Sequence, residues 1–515
     1  MAPKSSSTRS LLTAAALLMS VLLSPARASG SETCPAGARS MLEAAEQRLA
    51  QDVEGALRDL ELVIQSFGDS SCAAQALLKV AKARYEQLGE IEVAREVAQR
   101  LVTQHPVSIS AASGHALLGR IMVESAVTRE ELEQGRELLR RAWVLFPSSQ
   151  YPALEARAGA RVLDGETALR LGDLDGAAKS FLSVIEDEPP SAWLPRAEIS
   201  LASILAEAGL WPAAAELLQA SVDRYQGSAA DESAVEAPAW HGIALRRLTL
   251  LHRLQLLPAT GETPWSRAET VQIGGTGITK PELIAAREDG QLIVAGNPRD
   301  QVSVLDSDAS IVRNLSSVES RCLFWTEGSQ PYRCGRESIV GISGGAPRQF
   351  LDPDKANKPI DKLERVEQAD LGAWYVLADR QVRLIQNNGS VRVLVDSSSS
   401  TQPVDLAVDR RHRLYVLDSK GRRVLRFDAS EGRLSTAVSG GWRDPVALAV
   451  DPLGNIYVLD EERGVSVYAP DGSRIASIGP ALPGATLERP EDLAVDGRGR
   501  LFVADASLKR VIVVD

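Results

Sequence analysis

Three stretches decide the fold: RPEDLAVDGRGRLFVADASLKRVIVVD from Arg489, DPVALAVDPLGNIYVLDEERGVSVYA from Asp444, and QPVDLAVDRRHRLYVLDSKGRRVLRF from Gln402. They align without a gap for over twenty residues. Each reads as a proline, an alternating apolar run closing on Asp, a polar turn, a second run closing on Asp, and a third run. Period-two alternation broken by Gly, Asp and Asn turns is the pattern of short antiparallel strands. KPELIAAREDGQLIVAGNPRDQVSVL from Lys280 joins them, with Gly296 where the others have Asp, and LGAWYVLADRQVRLI is a degenerate member. The anchors Pro281, Leu363, Pro403, Pro445 and Pro490 are 82, 40, 42 and 45 residues apart. The 82 is two units, with the missing one around Arg321-Cys322-Leu323-Phe324-Trp325, so six units are expected. Asp515 follows a third strand, and AETVQIG at 268–274 looks like the fourth-strand segment SRIASIG at 473–479. The first strand of the array is therefore expected to complete the last unit, closing a ring and hiding its edges.

This pattern resembles the NHL repeat: a Pro before L-A-V-D, a Gly turn, I-Y-V-x-D, and a third strand opened by R-V. The resemblance implies a six-bladed β-propeller over residues 268–515.

Upstream, residues 38–255 carry apolar residues at three and four spacing with short Gly, Pro or Ser interruptions, the signature of helices. One phrase recurs there. LGDLDGAAKSFLSVIEDEP supplies Gly172, Ala177, Phe181, Val184 and Pro189, with Gly165 and Ala168 at small positions of the preceding helix; YEQLGEIEVAREVAQRLVTQHP supplies Tyr85, Gly89, Ala94, Ala98, Leu101 and Pro106. Weaker copies centre on Ala56, on Gly135 with its Pro147 stop, and on Ala214. The spacing resembles the tetratricopeptide repeat (TPR), in which small residues let paired helices approach. The anchors 56, 94, 135, 177 and 214 stand 38, 41, 42 and 37 residues apart, longer than the roughly 34 of that repeat. The expectation is a TPR-like all-α solenoid over 29–256, about five helical pairs, then a linker at 257–267 and the propeller. A TPR-like groove implies an extended peptide or a partner's helix as ligand.

Residues 1–28 read as a signal peptide: Lys4 and Arg9, the apolar run LLTAAALLMSVLL, then Ala26-Arg27-Ala28, with cleavage expected after Ala28. The protein is expected to be exported, periplasmic or secreted. In an oxidising compartment Cys34, Cys72, Cys322 and Cys334 are expected to pair within each half, with four buried thiols as the alternative. The net charge is −11; residues 265–515 hold 32 positive and 35 negative side chains, so most of the mature chain's acidity lies in the helical half. That balance argues against a nucleic-acid partner.

The chemistry expected is thin. No catalytic residue, metal or cofactor is assigned. A zinc lyase needs several converging His, and residues 265–515 contain His412 alone. A calcium-dependent lactonase-like channel needs six to eight oxygen ligands; Asp405 and Asp492 share the slot two after the blade proline, but Leu283 and Ala447 fill it elsewhere. Asp418, Asp460 and Asp505 recur at the end of the second strand, and Arg423 and Arg510 at the start of the third. They read as braces of each blade, with a charged ligand ring as the alternative. Trp442, beside Arg443 in SGGWRDP, reads either as an aromatic anchor on the binding face or as a plug at a blade junction. The functional expectation is an exported scaffold holding proteins or peptides of a cell-envelope assembly. The alternatives are a propeller hydrolase or lyase, and a sensor of envelope glycan or peptide.

Overall fold

The computed structural model describes residues 33–144, 154–186, 191–225, 237–256 and 264–515, apart from 272, 274–275, 299–300, 309, 317–318, 327–329 and 483–484. The expected leader, the linker residues 257–263 and the helix stops Pro147 and Pro189 lie outside them. The described residues form eleven α-helices followed by six four-stranded antiparallel sheets, and the chain divides into two compact units at Gly114.

The first unit contains α1 (Ala36–Leu49), α2 (Val53–Ser66), α3 (Ser71–Glu86) and α4 (Ile91–Gln104). Its core is Leu42, Leu57, Leu60, Val63, Leu77, Val80 and Leu101. Asp52 caps α2 by accepting the Gly55 amide at 2.9 Å, and Ser70 caps α3 by accepting that of Ala73 at 3.2 Å. A Cys34–Cys72 disulfide, Cα atoms 5.1 Å apart, fastens the residues before α1 to the first turn of α3. Closing a loop of that size is worth about 4 kcal/mol in the chain-entropy account.

Along the chain follow α5 (Ile109–Ser125), α6 (Arg129–Val144), α7 (Leu154–Arg170), α8 (Leu174–Ile185), α9 (Leu194–Glu207), α10 (Trp211–Tyr225) and α11 (Ala237–Leu251), the last continued by a π turn at His252–Leu256. The five repeat anchors fall one each on α2, α4, α6, α8 and α10. Ala56, Ala94, Ala177 and Ala214 are wholly buried. At Gly135 an added Cβ would stand 2.7 Å from Val123, and at Gly165 2.6 Å from the Phe181 ring. Small residues therefore sit where helix backbones come closest, as the TPR-like pattern requires. Pairs of helices 12 to 17 residues long account for a period above 34.

The strands of the six blades begin at Lys280–Ala286, Cys322–Trp325, Leu363–Gln368, Pro403–Val408, Pro445–Val450 and Pro490–Val495. The second strands of blades three to six are buried at every position. Packing between neighbouring blades covers both their faces, so these strands read as continuous apolar runs, whereas the outer strand Arg433–Ser439 is mostly exposed. Ala268–Val271 pairs antiparallel with Arg510–Val514, Ala268 opposite Val514. The ring thus closes as the sequence pattern predicts. Cys322 lies directly opposite Cys334 in blade two, and the two form a disulfide with Cα atoms 4.9 Å apart.

Candidate functional site in the propeller

The slot two past each blade proline follows a register shift in the first strand. In blades one, three, four, five and six it holds Leu283, Arg365, Asp405, Ala447 and Asp492. The third polar group, Arg365, decides the role of the other two. Its Nε donates to Asp405 at 2.5 Å and its Nη2 to Asp492 at 3.2 Å. Blade six stands opposite blade three, so the second bond crosses the propeller axis. The remaining capacity of both carboxylates goes to main-chain amides. Asp405 accepts from Leu406 (2.9 Å) and from Leu448 of blade five (2.7 Å); Asp492 accepts from Leu493 (3.1 Å) and from Ile284 of blade one (3.0 Å). They staple successive blades together. This donor set does not fit a calcium cage, because the oxygens are committed and a guanidinium lies between them.

A cavity of about 170 Å³ continues along the axis, lined by Glu367, Trp325 and the inner strands. Burial, and then the nearby Asp405, push the Glu367 carboxyl up to about 8, so at neutral pH it is mostly protonated. Burial likewise raises Asp492, partly offset by Arg365. Arg365 loses solvation, but its two carboxylates outweigh that loss and hold it charged.

The repeated aspartates brace the blades. Asp418, Asp460 and Asp505 are wholly buried. Asp418 accepts from the Gln402 and Gly421 amides and from Arg423 Nε, the last at 2.9 Å. Asp460 accepts from the amides of Arg443, Asp444, Glu462 and Arg463, and Asp505 from those of Glu488, Ser507 and Leu508. Arg510 departs from the expected pairing: its guanidinium reaches Thr270 on the closing strand, at 3.4 Å.

Trp442 stands at a blade junction and not on the surface. It is 1% exposed, packed with Tyr415, Val438 and Val458, and set edge-on to Tyr468 at 5.8 Å between centroids. The junction between blades four and five needs a large apolar body, and Gly440 leaves room for it. Arg443 is exposed and pairs with Glu462 at 2.7 Å. His412 occupies a left-handed turn position (φ 57°), half-buried, its carbonyl accepting from Tyr375 at 3.3 Å.

The two faces of the propeller have different fates. One carries the turns between first and second strands, and α7, α9 and α11 pack against it. Arg170 clasps Asp370 (2.6 Å); Glu207 takes both Arg411 (2.9 Å) and Arg413 (2.6 Å). Glu288 takes Arg247 (2.8 Å) and Arg410 (3.1 Å). Arg247 is 1% exposed, and burial followed by repulsion from Arg410 lowers it to about 9. Beside these pairs, Ile199, Leu218, Leu250 and Leu254 share an apolar core with Tyr457, Leu459 and Leu501. The other face, which among the described residues α7, α9 and α11 leave uncovered, carries the turns between second and third strands and the connections between blades. Arg365, Glu367 and the charged contacts to the helices escape sequence reading. Blade three begins with Leu363 instead of Pro, which hides its slot, and Arg170 and Asp370 are 200 residues apart.

A tetratricopeptide repeat model matches residues 75–108. Among curated proteins, no sequence matches the chain. Solved structures similar to its propeller include a streptogramin B lyase (12% identity, 48% of this chain and 97% of that one, TM-score 0.37). A gluconolactonase from Xanthomonas campestris is similar at 17% identity (48% and 89%, TM-score 0.39), and the WD40 propeller domain of Doa1 at 12% (49% and 98%, TM-score 0.36). No activity is carried over from them.

Proposed function

We propose that the protein is an exported, non-enzymatic scaffold that holds protein or peptide partners in a cell-envelope assembly. The TPR-like helices and the uncovered propeller face would serve as its two binding surfaces. One observation carries this reading over a hydrolase or lyase: the carboxylates of the channel are consumed by Arg365 and by blade-to-blade amides, leaving Glu367, mostly protonated, as its polar remainder. Export rests on the leader pattern at 1–28, and two disulfides are compatible with it.

The test is in-cell crosslinking of the full chain followed by mass spectrometry, with N-terminal sequencing of the same material. Recovery of defined envelope proteins on a chain beginning at Ser29 supports the proposal. Stoichiometric bound Ca²⁺ or Zn²⁺ lost on Asp405→Ala or Asp492→Ala, with no crosslinked partner, overturns it in favour of a propeller enzyme.

A further inference from the structure

On the uncovered face, blades three and four present a strip with three exposed cations, Arg380, Lys420 and Arg422. The turn of blade three is Asp379-Arg380 and that of blade four is Ser419–Arg422, and the serine-rich connection at 397–402 runs between them. Ser397 Oγ donates to the Arg380 carbonyl (2.8 Å), the Ser419 amide to the Gln402 carbonyl (3.0 Å), and the Gly440 amide to the Arg422 carbonyl (3.1 Å). Contiguity is therefore given by hydrogen bonds. Arg380, Lys420 and Arg422 are exposed, and among the described residues no carboxylate lies within ion-pair distance of them. Of the acids nearby, Asp379 pairs with Lys362 (3.4 Å) and buried Asp418 with Arg423 (2.9 Å), while exposed Asp396 accepts from the neutral Gln381 amide (3.0 Å) and keeps its charge at the edge of the strip. Glu364 senses Arg380 at longer range and is itself raised by burial. In blade five the equivalents of Lys420 and Arg422 are Glu462 and Gly464, and the cations nearby are occupied, Arg443 by Glu462 and Arg463 by the Gly441 carbonyl.

The backbone holds two of these cations, Arg380 and Arg422, at a cost. Four residues past the second-strand aspartate, blade five has Gly464 (φ 77°), while blade four has Arg422 (φ 51°) and blade six Lys509 (φ 55°). Arg380 sits at φ 60° after Asp379 at 53°. Left-handed geometry suits glycine, and a long basic side chain there is strained.

We propose that this strip docks an acidic segment of a partner protein, whose Asp and Glu side chains meet Arg380, Lys420 and Arg422 while the hydroxyls of Ser398 and Ser400 border the contact. The inference rests on the scaffold reading and names the partner chemistry of its propeller face.

The test is fluorescence anisotropy of labelled deca-glutamate titrated with the full-length chain at about 20 mM salt, where surface charge is weakly screened. The expected result is saturable binding, abolished near 0.5 M salt. It should weaken about tenfold or more in Arg380→Glu/Lys420→Glu/Arg422→Glu and stay within about twofold in Arg474→Glu, an exposed outer-strand control. Absence of binding by the unsubstituted chain, equal binding by the triple variant, or equal affinity for a decathymidylate would overturn the proposal. If deca-glutamate fails while envelope proteins still crosslink to the full chain, the strip alone is disproved. If no protein crosslinks either, the scaffold reading falls with it.

Discussion

The covered and uncovered faces of the propeller are built from the same repeat, yet they spend their charges differently. On the covered face Arg410, Arg411 and Arg413 each have a carboxylate partner, two of them on Glu207 of α9. On the uncovered face Arg380, Lys420 and Arg422 stay exposed, two of them in strained turns. A repeat fixes blade geometry; what its turns do depends on whether another part of the chain packs on them. The lesson bears on the channel as well, where Arg365 turns what looks like a pair of ligand carboxylates into a strut across the axis.

Substitutions sharpen that contrast, and the largest effect is expected in the channel. Arg365→Met strands Asp405 and Asp492 without their cation, and urea unfolding should show a loss of about 4 to 5 kcal/mol at pH 7. The loss should shrink toward pH 5, as the stranded Asp492 carboxyl, already raised by burial, takes up a proton. Trp442→Ala should cost about 3 to 4 kcal/mol through the cavity it opens between blades, with deca-glutamate affinity unchanged; a loss of affinity at unchanged stability would return Trp442 to the binding face.

Glu367 makes a pH-dependent contribution of somewhat smaller size. Its folded-state pKa of about 8 lies above its unfolded value, so its contribution is fully present below about pH 4.5 and is lost as pH rises through 8. Glu367→Gln should therefore be more stable than the unsubstituted chain at pH 8, by up to roughly 3 kcal/mol, and about equal to it at pH 4.5. Glu207→Ala, which leaves buried Arg413 with Asp409 alone, should cost about 2 kcal/mol in the same assay. The smallest effect is a gain. Arg380→Gly relieves the left-handed strain and should add about 0.5 to 1 kcal/mol, while weakening deca-glutamate binding.

The blade count was legible because the Pro, L-A-V-D and second-strand Asp positions each have a local cause: a strand start, a turn and a brace. The anchors at 56, 94, 135, 177 and 214 were legible because close helix approach demands small residues. Trp442 could be read two ways, since an aromatic between Gly440 and Asp444 looks alike whether it faces solvent or a neighbouring blade. Asp405 and Asp492 were visible as a shared slot, but their role depends on Arg365 in the least regular blade. The packing of α7, α9 and α11 on the propeller left no local trace, because each pair joins residues far apart in sequence.

The most direct test of the scaffold account places a photo-crosslinking amino acid at position 422, on the uncovered face, and separately at position 411, on the covered one, in the full chain in cells. The account predicts that position 422 captures a defined protein with an acidic segment and that position 411 yields crosslinks only within the chain, to α9. Capture of a partner from 411, or none from 422, would contradict it.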